Sequence, residues 1–534
     1  MRIGGSGWTG MTSHGPLVRL SLAALLAGVL ASPALAGSDA VKAQIEALKR
    51  QIAEQQKTIE AQQQILETLE AQVQDVKREG AADAQEARRI AAESPKLTIK
   101  DARPTFETGD GKNSISLRGR MTLDLAKYVQ GEAGPQATDF RRGSFGDATE
   151  AARARDLNDG ANFRRAQIGI DGKLLQDWAY SLIYEFGGSG QEDGGRIQDL
   201  YLQYNGFEPF RFRIGAFSPS ANYDDSISNA DSLFLERATP AELSRQIAGG
   251  EGRTGVSAYA NGEEWYASLA LTGAPIATQS FDEQLALVGR VAFLPVKSPD
   301  FNVHVGANSS YVFQPGDQGP DVTASARFPL RLRDRPEIRV DGTRLIDTGN
   351  INSGAYWSPG VELAANFYNF YVQAEHTWYR FERKQTAGPT LPDPDFRGWY
   401  VAAAYALTGE TRNWNPSGGV FSSLKPANPL TFDGDGFGAW EIALRYSSAD
   451  LNYRTDLPVA AGGIFGGEQS AWTVGLNWYV NNNIRFLLDY QWLEIDRLST
   501  GVANAYGTGV VTPPAGAQIG QDVQIISLRT QFTF

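Results

Sequence analysis

From about residue 112 to the last residue, Phe534, the chain is written in short segments in which every second position is apolar, separated by clusters of Gly, Pro, Asn and Asp. A period of two is the period of a β-strand, so each segment has one dry face and one wet face. Between residues 114 and 125, Ile115, Leu117, Met121, Leu123 and Leu125 fall on one side, and Arg118, Arg120, Thr122 and Asp124 on the other. The pattern recurs in Trp440, Ile442, Leu444 and Tyr446 against Glu441 and Arg445, and in Ile484, Phe486, Leu488 and Tyr490 against Arg485, Asp489 and Gln491. A soluble sandwich alternates as well. Aromatics at the segment ends, Trp399, Tyr405, Trp440, Trp472, Trp478 and Trp492, suit interfacial girdles instead, and predict a closed transmembrane barrel with its apolar face outward.

Connector lengths point the same way, because such barrels alternate short turns on one side of the membrane with longer loops on the other. Short connectors fall near residues 172–177, 205–209, 261–264, 295–300 and 481–483, and long ones near 129–161, 218–252, 382–396 and 496–521. The exception is the Gly- and Pro-rich stretch 408–437, long at a short-turn place, which is expected to fold into the lumen. Residues 322–347 are either a hairpin in the wall, giving eighteen strands, or an inward loop, giving sixteen; both counts are even, so parity does not decide. The last segment, with Ile526, Leu528, Phe532 and Phe534 opposite Ser527, Arg529, Gln531 and Thr533, ends the chain on an aromatic.

Ahead of the barrel, Arg2 and Arg19 precede the apolar run 20–30, and Ala34-Leu35-Ala36 supplies a small-residue cleavage site, so residues 1–36 read as an export signal. Residues 37–95 form a second region. Here Ile45, Ile52, Ile59, Leu66 and Val73 occupy a positions and Val41, Leu48, Gln55, Gln62, Leu69 and Val76 occupy d positions of a heptad seam. Such a helix has no core of its own, so self-association is expected, and β-branched a positions beside central Gln favour a trimer over a dimer or a lone solvated helix. A softer Ala-rich stretch, 80–94, reads as a hinge that Pro95 ends. Residues 96–534 are then the barrel.

By the same alternation, the lumen face carries Arg118, Arg120, Arg165, Arg211, Arg213, Arg290, Arg445, Arg485 and Arg529. Arg327, Arg331, Arg333 and Arg335 stand at even spacing, which in an extended chain puts all four on one side. Residues 232–237, Ser-Leu-Phe-Leu-Glu-Arg, form an apolar turn able to narrow the barrel, with Arg237 and Arg245 at the constriction. A guanidinium stays charged at any relevant pH and presents a planar fork to phosphate or carboxylate, and rings of such groups select anions. Against this stand Asp124, Glu185, Glu362, Glu375, Glu441 and Asp489, which face the same lumen and offer the arginines ion-pair partners. The net charge of -12 does not decide between the two, since acids such as Asp224 and Asp225 cluster in loops; it does argue against nucleic acid.

Enzymatic readings are poor. No nucleophile elbow, P-loop or zinc-helix motif is present, a GxGxxG at Gly5, Gly7 and Gly10 lies inside the export segment, and His304 near Ser309 is the one Ser and His candidate. Zero Cys excludes disulfides and thiolate metal sites. Asp393 with Asp395 and Asp433 with Asp435 have spacing open to calcium, though solvated loop acids look the same, and neither cofactor nor resident metal is expected.

Residues 162–169 (Asn-Phe-Arg-Arg-Ala-Gln-Ile-Gly), 234–237 (Phe-Leu-Glu-Arg), 405–410 (Tyr-Ala-Leu-Thr-Gly-Glu) and 438–446 (Gly-Ala-Trp-Glu-Ile-Ala-Leu-Arg-Tyr) resemble the phosphate-selective porins, the group of porins O and P. The likeness implies a sixteen-stranded trimeric barrel with inward loops and an arginine-lined path for phosphate or polyphosphate, with Arg165, Arg237 and Arg445 inside matching segments. The terminal Phe534 resembles the signal read by the outer-membrane insertion machinery. Outer-membrane lipid and lipopolysaccharide would surround such a barrel. The coiled coil is an addition to the best-known members; over residues 41–76 it would reach roughly 54 Å, enough to approach the cell wall. The expected function is thus a passive anion channel, with a general diffusion porin or a structural barrel tethered to the wall as the alternatives.

Overall fold

The computed structural model describes residues 38–130, 157–188, 195–276, 278, 280–386, 389–431, 434–501 and 515–534. The expected export signal, residues 1–36, lies outside them. The chain divides into two compact units at residues 91 and 92.

The first unit is the helix α1, Ser38–Glu93, 56 residues long. Glu, Gln, Lys and Ala favour it throughout, and exposed pairs such as Lys49 with Glu46 at 3.2 Å brace successive turns. Its seam is bare within one chain, with Ile45, Ile52 and Leu69 about half exposed. The Ala-rich stretch does not form a hinge: the helix runs unbroken through Gly80, because one Gly costs only about 1 kcal/mol among strong helix formers. Pro95 stops it, having no N–H to donate and restricting the residue before it.

The second unit opens with a hairpin, β1 (Lys96–Lys100) and β2 (Arg103–Glu107), and continues through β3 (Ser114–Gln130), β4 (Gly160–Leu174), β5 (Trp178–Glu185), β6 (Arg196–Phe207), β7 (Phe210–Phe217), β8 (Arg253–Asn261), β9 (Trp265–Pro275), β10 (Leu285–Lys297) and β11 (Phe301–Gln314). After these come β12 (Ile351–Phe367), β13 (Phe370–Arg383), β14 (Asp395–Ala406), β15 (Ala439–Tyr453), β16 (Ile464–Tyr479), β17 (Ile484–Asp496) and β18 (Gln521–Thr533). From β3 onward each strand pairs antiparallel with the next, and β18 returns to β3, from Val523 opposite Gln130 to Thr533 opposite Arg120. The barrel is therefore closed, with sixteen strands. The strand β2 pairs with the first residues of β3 beyond that closure.

The eighteen-strand alternative fails because β11 pairs directly with β12, from Phe301 opposite Phe367 to Val312 opposite Tyr356. Residues 315–350 are an inward loop. Pro329 and Pro336 each lack the N–H that a wall strand must donate. Only two-residue ladders form, Pro329–Leu330 against β12 and Arg333–Asp334 against Ile346–Asp347. The short stretch Ala324–Ala326 is a 3-10 turn, with Arg327 helical behind it. Arg327, Arg331, Arg333 and Arg335 therefore do not share the face of one strand.

On the outer face, Ile115, Leu117, Met121, Ile442, Leu444 and Leu488 are exposed, as the alternation predicts. Two aromatic rows frame them on β15 to β17. Trp440 stacks on Trp478 at 5.2 Å and Trp478 on Phe486 at 5.5 Å near the short turns, while Tyr446 meets Trp472 at 4.8 Å further up. Among the described residues no helix is long and apolar enough to cross a membrane; the strands supply the apolar surface. Leu444→Arg on this face is expected to cost about 2–4 kcal/mol of stability in urea titrations of the barrel refolded into vesicles. An unchanged midpoint would mean that Leu444 does not meet lipid.

Candidate functional site

Alternation delivers the inward side chains, but what they meet depends on three segments that enter the barrel. Residues 218–252 and 315–350 come from the long-loop end and residues 407–438 from the short-turn end. The first carries the single-turn helix α2 (Tyr223–Ser226) and the helix α3 (Thr239–Ala248), whose start is set by Pro240 and whose charges, Glu242 first and Arg245 last, suit the helix dipole.

Buried ion pairs hold these segments to the wall. Glu236 accepts from Arg164 Nε at 2.6 Å and Arg529 Nη2 at 2.9 Å, and Arg339 of the second segment reaches it at 3.2 Å. Arg339 also binds Glu242 at 2.5 Å. Glu337 takes Arg445 Nη2 at 2.5 Å, the Ser447 hydroxyl at 2.6 Å and the Thr239 N–H at the start of α3 at 2.7 Å. Burial pushes the Glu236 and Glu242 carboxyls up, but the guanidinium groups of Arg164 and Arg339 on the one, and of Arg339 and Arg245 on the other, outweigh it. Glu236 sits well below the usual carboxylate range and Glu242 at about 2. Across the closure, Arg529 faces Asp124 in register and bonds both its oxygens at 2.6 Å.

The third segment enters as expected of it. Trp414–Asn415 pairs with Val420–Phe421 as a small hairpin, and Arg290, wholly buried on β10, donates to the Gly418 and Gly419 carbonyls at 2.8 and 2.7 Å. Gly419, at φ +61°, lies where a Cβ would run into the Tyr266 ring. Arg412 anchors the base on Glu441 at 2.7 Å.

The sequence-derived arginines consequently separate into two groups, apart from Arg485, which is buried, donates to the Ala230 carbonyl at 3.1 Å and lies over the Tyr479 ring. Arg165 lies between Glu185 at 3.7 Å and Glu251 at 3.4 Å, and Arg290 binds Glu362 at 2.9 Å. Arg245 binds Asp225 at 2.6 Å, while Arg237 caps the Asp224 carbonyl at 3.1 Å. Arg327 pairs with Asp317 at 2.7 Å, Arg331 with Asp347, and Arg335 reaches the Gly342 carbonyl at 3.1 Å; Arg333 is half-buried on its short ladder. Arg445 and Arg529 belong to the network above. Asp224 and Asp225 are thus not solvated loop acids: α2 buries both inside the barrel. The water-facing group is smaller. Inward side chains of β10 to β18 are nearly all buried, whereas Arg118 on β3 is exposed and Arg120, Asp199, Tyr201, Arg211 and Arg213 are only half-buried. Arg213 lies 4.0 Å over the Tyr201 ring and donates to Gln203, and Arg211 binds Asn261 at 2.7 Å. These residues form a strip of wet wall from β3 to β7.

Alternation missed Arg164, because it is the extra residue of a bulge in β4, opposite the step from Thr122 to Leu123 of β3, which turns both Arg164 and Arg165 inward. It also missed Glu337 and Arg339, which lie in a loop without periodicity, and Asp199. His304 and Ser309 point to opposite faces: His304 is buried and accepts from Trp414 Nε1 at 3.3 Å, while Ser309 accepts from the outer Trp357 at 2.8 Å. Asp433 lies outside the described residues, and Asp393 caps the Arg383 N–H at 2.7 Å. Among the described residues no group of three metal-ligating side chains occurs.

Residues 140–534 match the model of the family described as phosphate-selective porin O and P. The chain belongs to that family. It is 28% identical to Porin O of Pseudomonas aeruginosa over 428 residues, which cover 76% of this chain and 88% of that protein. An uncharacterized protein of Caulobacter vibrioides is 27% identical over 403 residues, covering 73% and 70% of the two chains. Among solved structures, the barrel is similar to an anion-selective porin from Comamonas acidovorans, with 13% identity, a TM-score of 0.44, and coverage of 79% of this chain and all of the other. The family is one of outer-membrane channels.

Glu236→Gln leaves Arg164, Arg339 and Arg529 without their shared carboxylate, at an expected cost of about 3–5 kcal/mol to loop docking, seen as a larger single-channel conductance in planar bilayers. Because the Glu236 pKa is depressed, the wild type keeps this contribution at neutral pH and loses it only as acidification passes the folded pKa. Equal conductance of the two proteins at pH 7 would remove Glu236 from the docking network.

Proposed function

We propose that the chain is a passive channel for small anions, phosphate or polyphosphate foremost, moving along the wet wall between β3 and β7. The observation that carries this reading is the strip itself, where Arg118, Arg120, Arg211 and Arg213 outnumber the half-buried carboxylates of Asp199 and Asp171, the second of which is bound by Arg103. Elsewhere in the lumen most of the arginine charge is cancelled by carboxylates, as at Arg165, Arg290, Arg445 and Arg529. A net positive field on one low-dielectric wall concentrates anions, and guanidinium groups held by neutral partners such as Gln203, Asn261 and Ser228 offer them successive, exchangeable sites. The family's name supports phosphate as the anion. The paired residues Arg165, Arg237, Arg245, Arg290, Arg445 and Arg529, and the loop residues Arg327 to Arg335, shape the constriction and contribute less charge to it. A general diffusion channel is the second reading, favoured by the number of lumen arginines neutralised by acids.

Reversal potentials across a planar bilayer under a potassium chloride gradient test the proposal. Wild type should favour anions, Arg118→Ala with Arg213→Ala should lower the permeability ratio severalfold, and Arg331→Ala with Arg333→Ala should lower it less. Cation preference in the wild type, or a ratio unmoved by the first pair, would sink the anion path.

We further infer that α1 assembles as a three-stranded coiled coil in the periplasm, making the porin a trimer with a stalk able to meet the cell wall. The bare heptad seam supports this, because half-exposed Ile and Leu along the helix gain burial only from other copies. Cross-linking the excised peptide 40–78 should yield trimers. A monomer at all concentrations would refute the seam.

A further inference from the structure

The outer face of the wall is apolar over most of its area, but at the long-loop end of β13 to β16 it carries charge. Arg397 on β14 stands opposite Asp450 on β15, and Asp450 opposite Glu468 on β16. Side chains so placed across a ladder are roughly 5 Å apart. One step closer to the membrane centre, His376 on β13 stands opposite Trp399, and Trp399 opposite Ser448. Trp399 belongs to the upper aromatic row, 5.3 Å from Tyr446, which in turn meets Trp472. Aromatic girdles mark the membrane interface, so the charges just beyond this row lie at the level of lipid headgroups.

These charges do not close on one another. Arg397 faces Asp450 in register, yet among the described residues it makes no ion pair or hydrogen bond, and neither Asp450 nor Glu468 has a cation within ion-pair distance. Asp450 accepts only from the Asn452 N–H, at 2.9 Å. The His376 ring lies against Trp378 at 4.3 Å, and its Nε2 has no partner. Asp496, next in the row beyond Glu468, is taken by Gln518 at 3.2 Å. The patch therefore presents nitrogen donors on β13 and β14 and carboxylates on β15 and β16, each open to a group from the membrane.

The same place is hollow. A dent of about 340 Å³ is bordered by His376, Arg397, Trp399, Ser448, Asp450 and Glu468. A second of about 360 Å³ shares His376 and Trp399 with it and continues between Val361, Leu363, Ala374 and Val401, where the small Ala374 leaves room among larger neighbours. The upper hollow is polar and the lower one apolar.

We propose that the two dents together hold one phospholipid whose head joins a phosphate to a primary amine, of the phosphatidylethanolamine class. Arg397 and the Nε2 of His376 take the phosphate, Asp450 and Glu468 take the ammonium, and an acyl chain lies along Ala374 and Val401. A phosphate without an amine would leave both carboxylates facing negative charge, so the mixed patch selects a head that carries both signs. The site lies on the lipid side of the wall and is independent of the anion path.

The test uses the full chain, stripped of lipid in detergent and then offered phosphatidylethanolamine, phosphatidylglycerol or lipid A, with lipid retained per chain read by native mass spectrometry. Wild type should keep the first severalfold better than the other two, which carry phosphate without a primary amine. Arg397→Gln should lower retention of phosphatidylethanolamine and phosphatidylglycerol alike, severalfold, the scale of an exposed charge contact. Asp450→Asn with Glu468→Gln should lower the first alone, so that the preference vanishes or reverses. Ala374→Phe, on an outward position, should fill the lower dent and weaken both phospholipids without changing their order. Heat-modifiable migration on gels reports that each barrel is folded. Equal retention of the two phospholipids by the wild type, a preference that survives loss of both carboxylates, or retention indifferent to Arg397→Gln overturns the site. Stronger retention of lipid A than of phosphatidylethanolamine also overturns it and assigns this face to lipopolysaccharide.

Discussion

The ion pairs between the inward segments and the barrel wall are what the rest of this structure depends on. A sixteen-stranded wall encloses more space than its own inward side chains fill. Glu236, Glu242 and Glu337 bring negative charge into an interior rich in arginine, and Arg164, Arg339, Arg445 and Arg529 receive it. Neither side is tolerable alone, because an unpaired charge buried there costs several kcal/mol. The pairing makes the inward position of the loops and the burial of the wall arginines one event. The apolar tip around Phe234, lying under the Arg445 guanidinium at 4.4 Å, adds packing to it.

This docking divides the lumen. One side, from β10 round to β18, is filled by α3, its neighbours and the hairpin that ends at Gly419. The other, from β3 to β7, stays wet and keeps arginines that no carboxylate neutralises. Charge that looks evenly spread around the barrel in a list of inward positions is therefore concentrated on one strip. Channel selectivity follows the charges that water can reach, not their sum, so a chain with a net charge of -12 is compatible with a positive pathway.

Much of the fold was legible because one physical rule, a period of two against a closed apolar exterior, repeats in every strand. It located the wall segments, the short and long ends, and the inward entry of residues 407–438 from connector length. It failed where the backbone departs from that period. Arg164 turned inward through a bulge, the Arg327 to Arg335 row was spaced as a strand but interrupted by proline, and the Ala-rich end of α1 read as a hinge yet stayed helical. His304 and Ser309 lie five residues apart, and that odd separation already placed them on opposite faces.

Within the regular strands the sequence by itself determined which side chains face the lumen and which face lipid, since that follows from local backbone geometry and needs no knowledge of distant residues. Only the tertiary structure decided which of the lumen arginines still carry an uncompensated charge. That depends on carboxylates brought from loops up to several hundred residues away, as with Arg529 and Glu236, 293 residues apart. Periodicity in the chain has no means of specifying such a meeting.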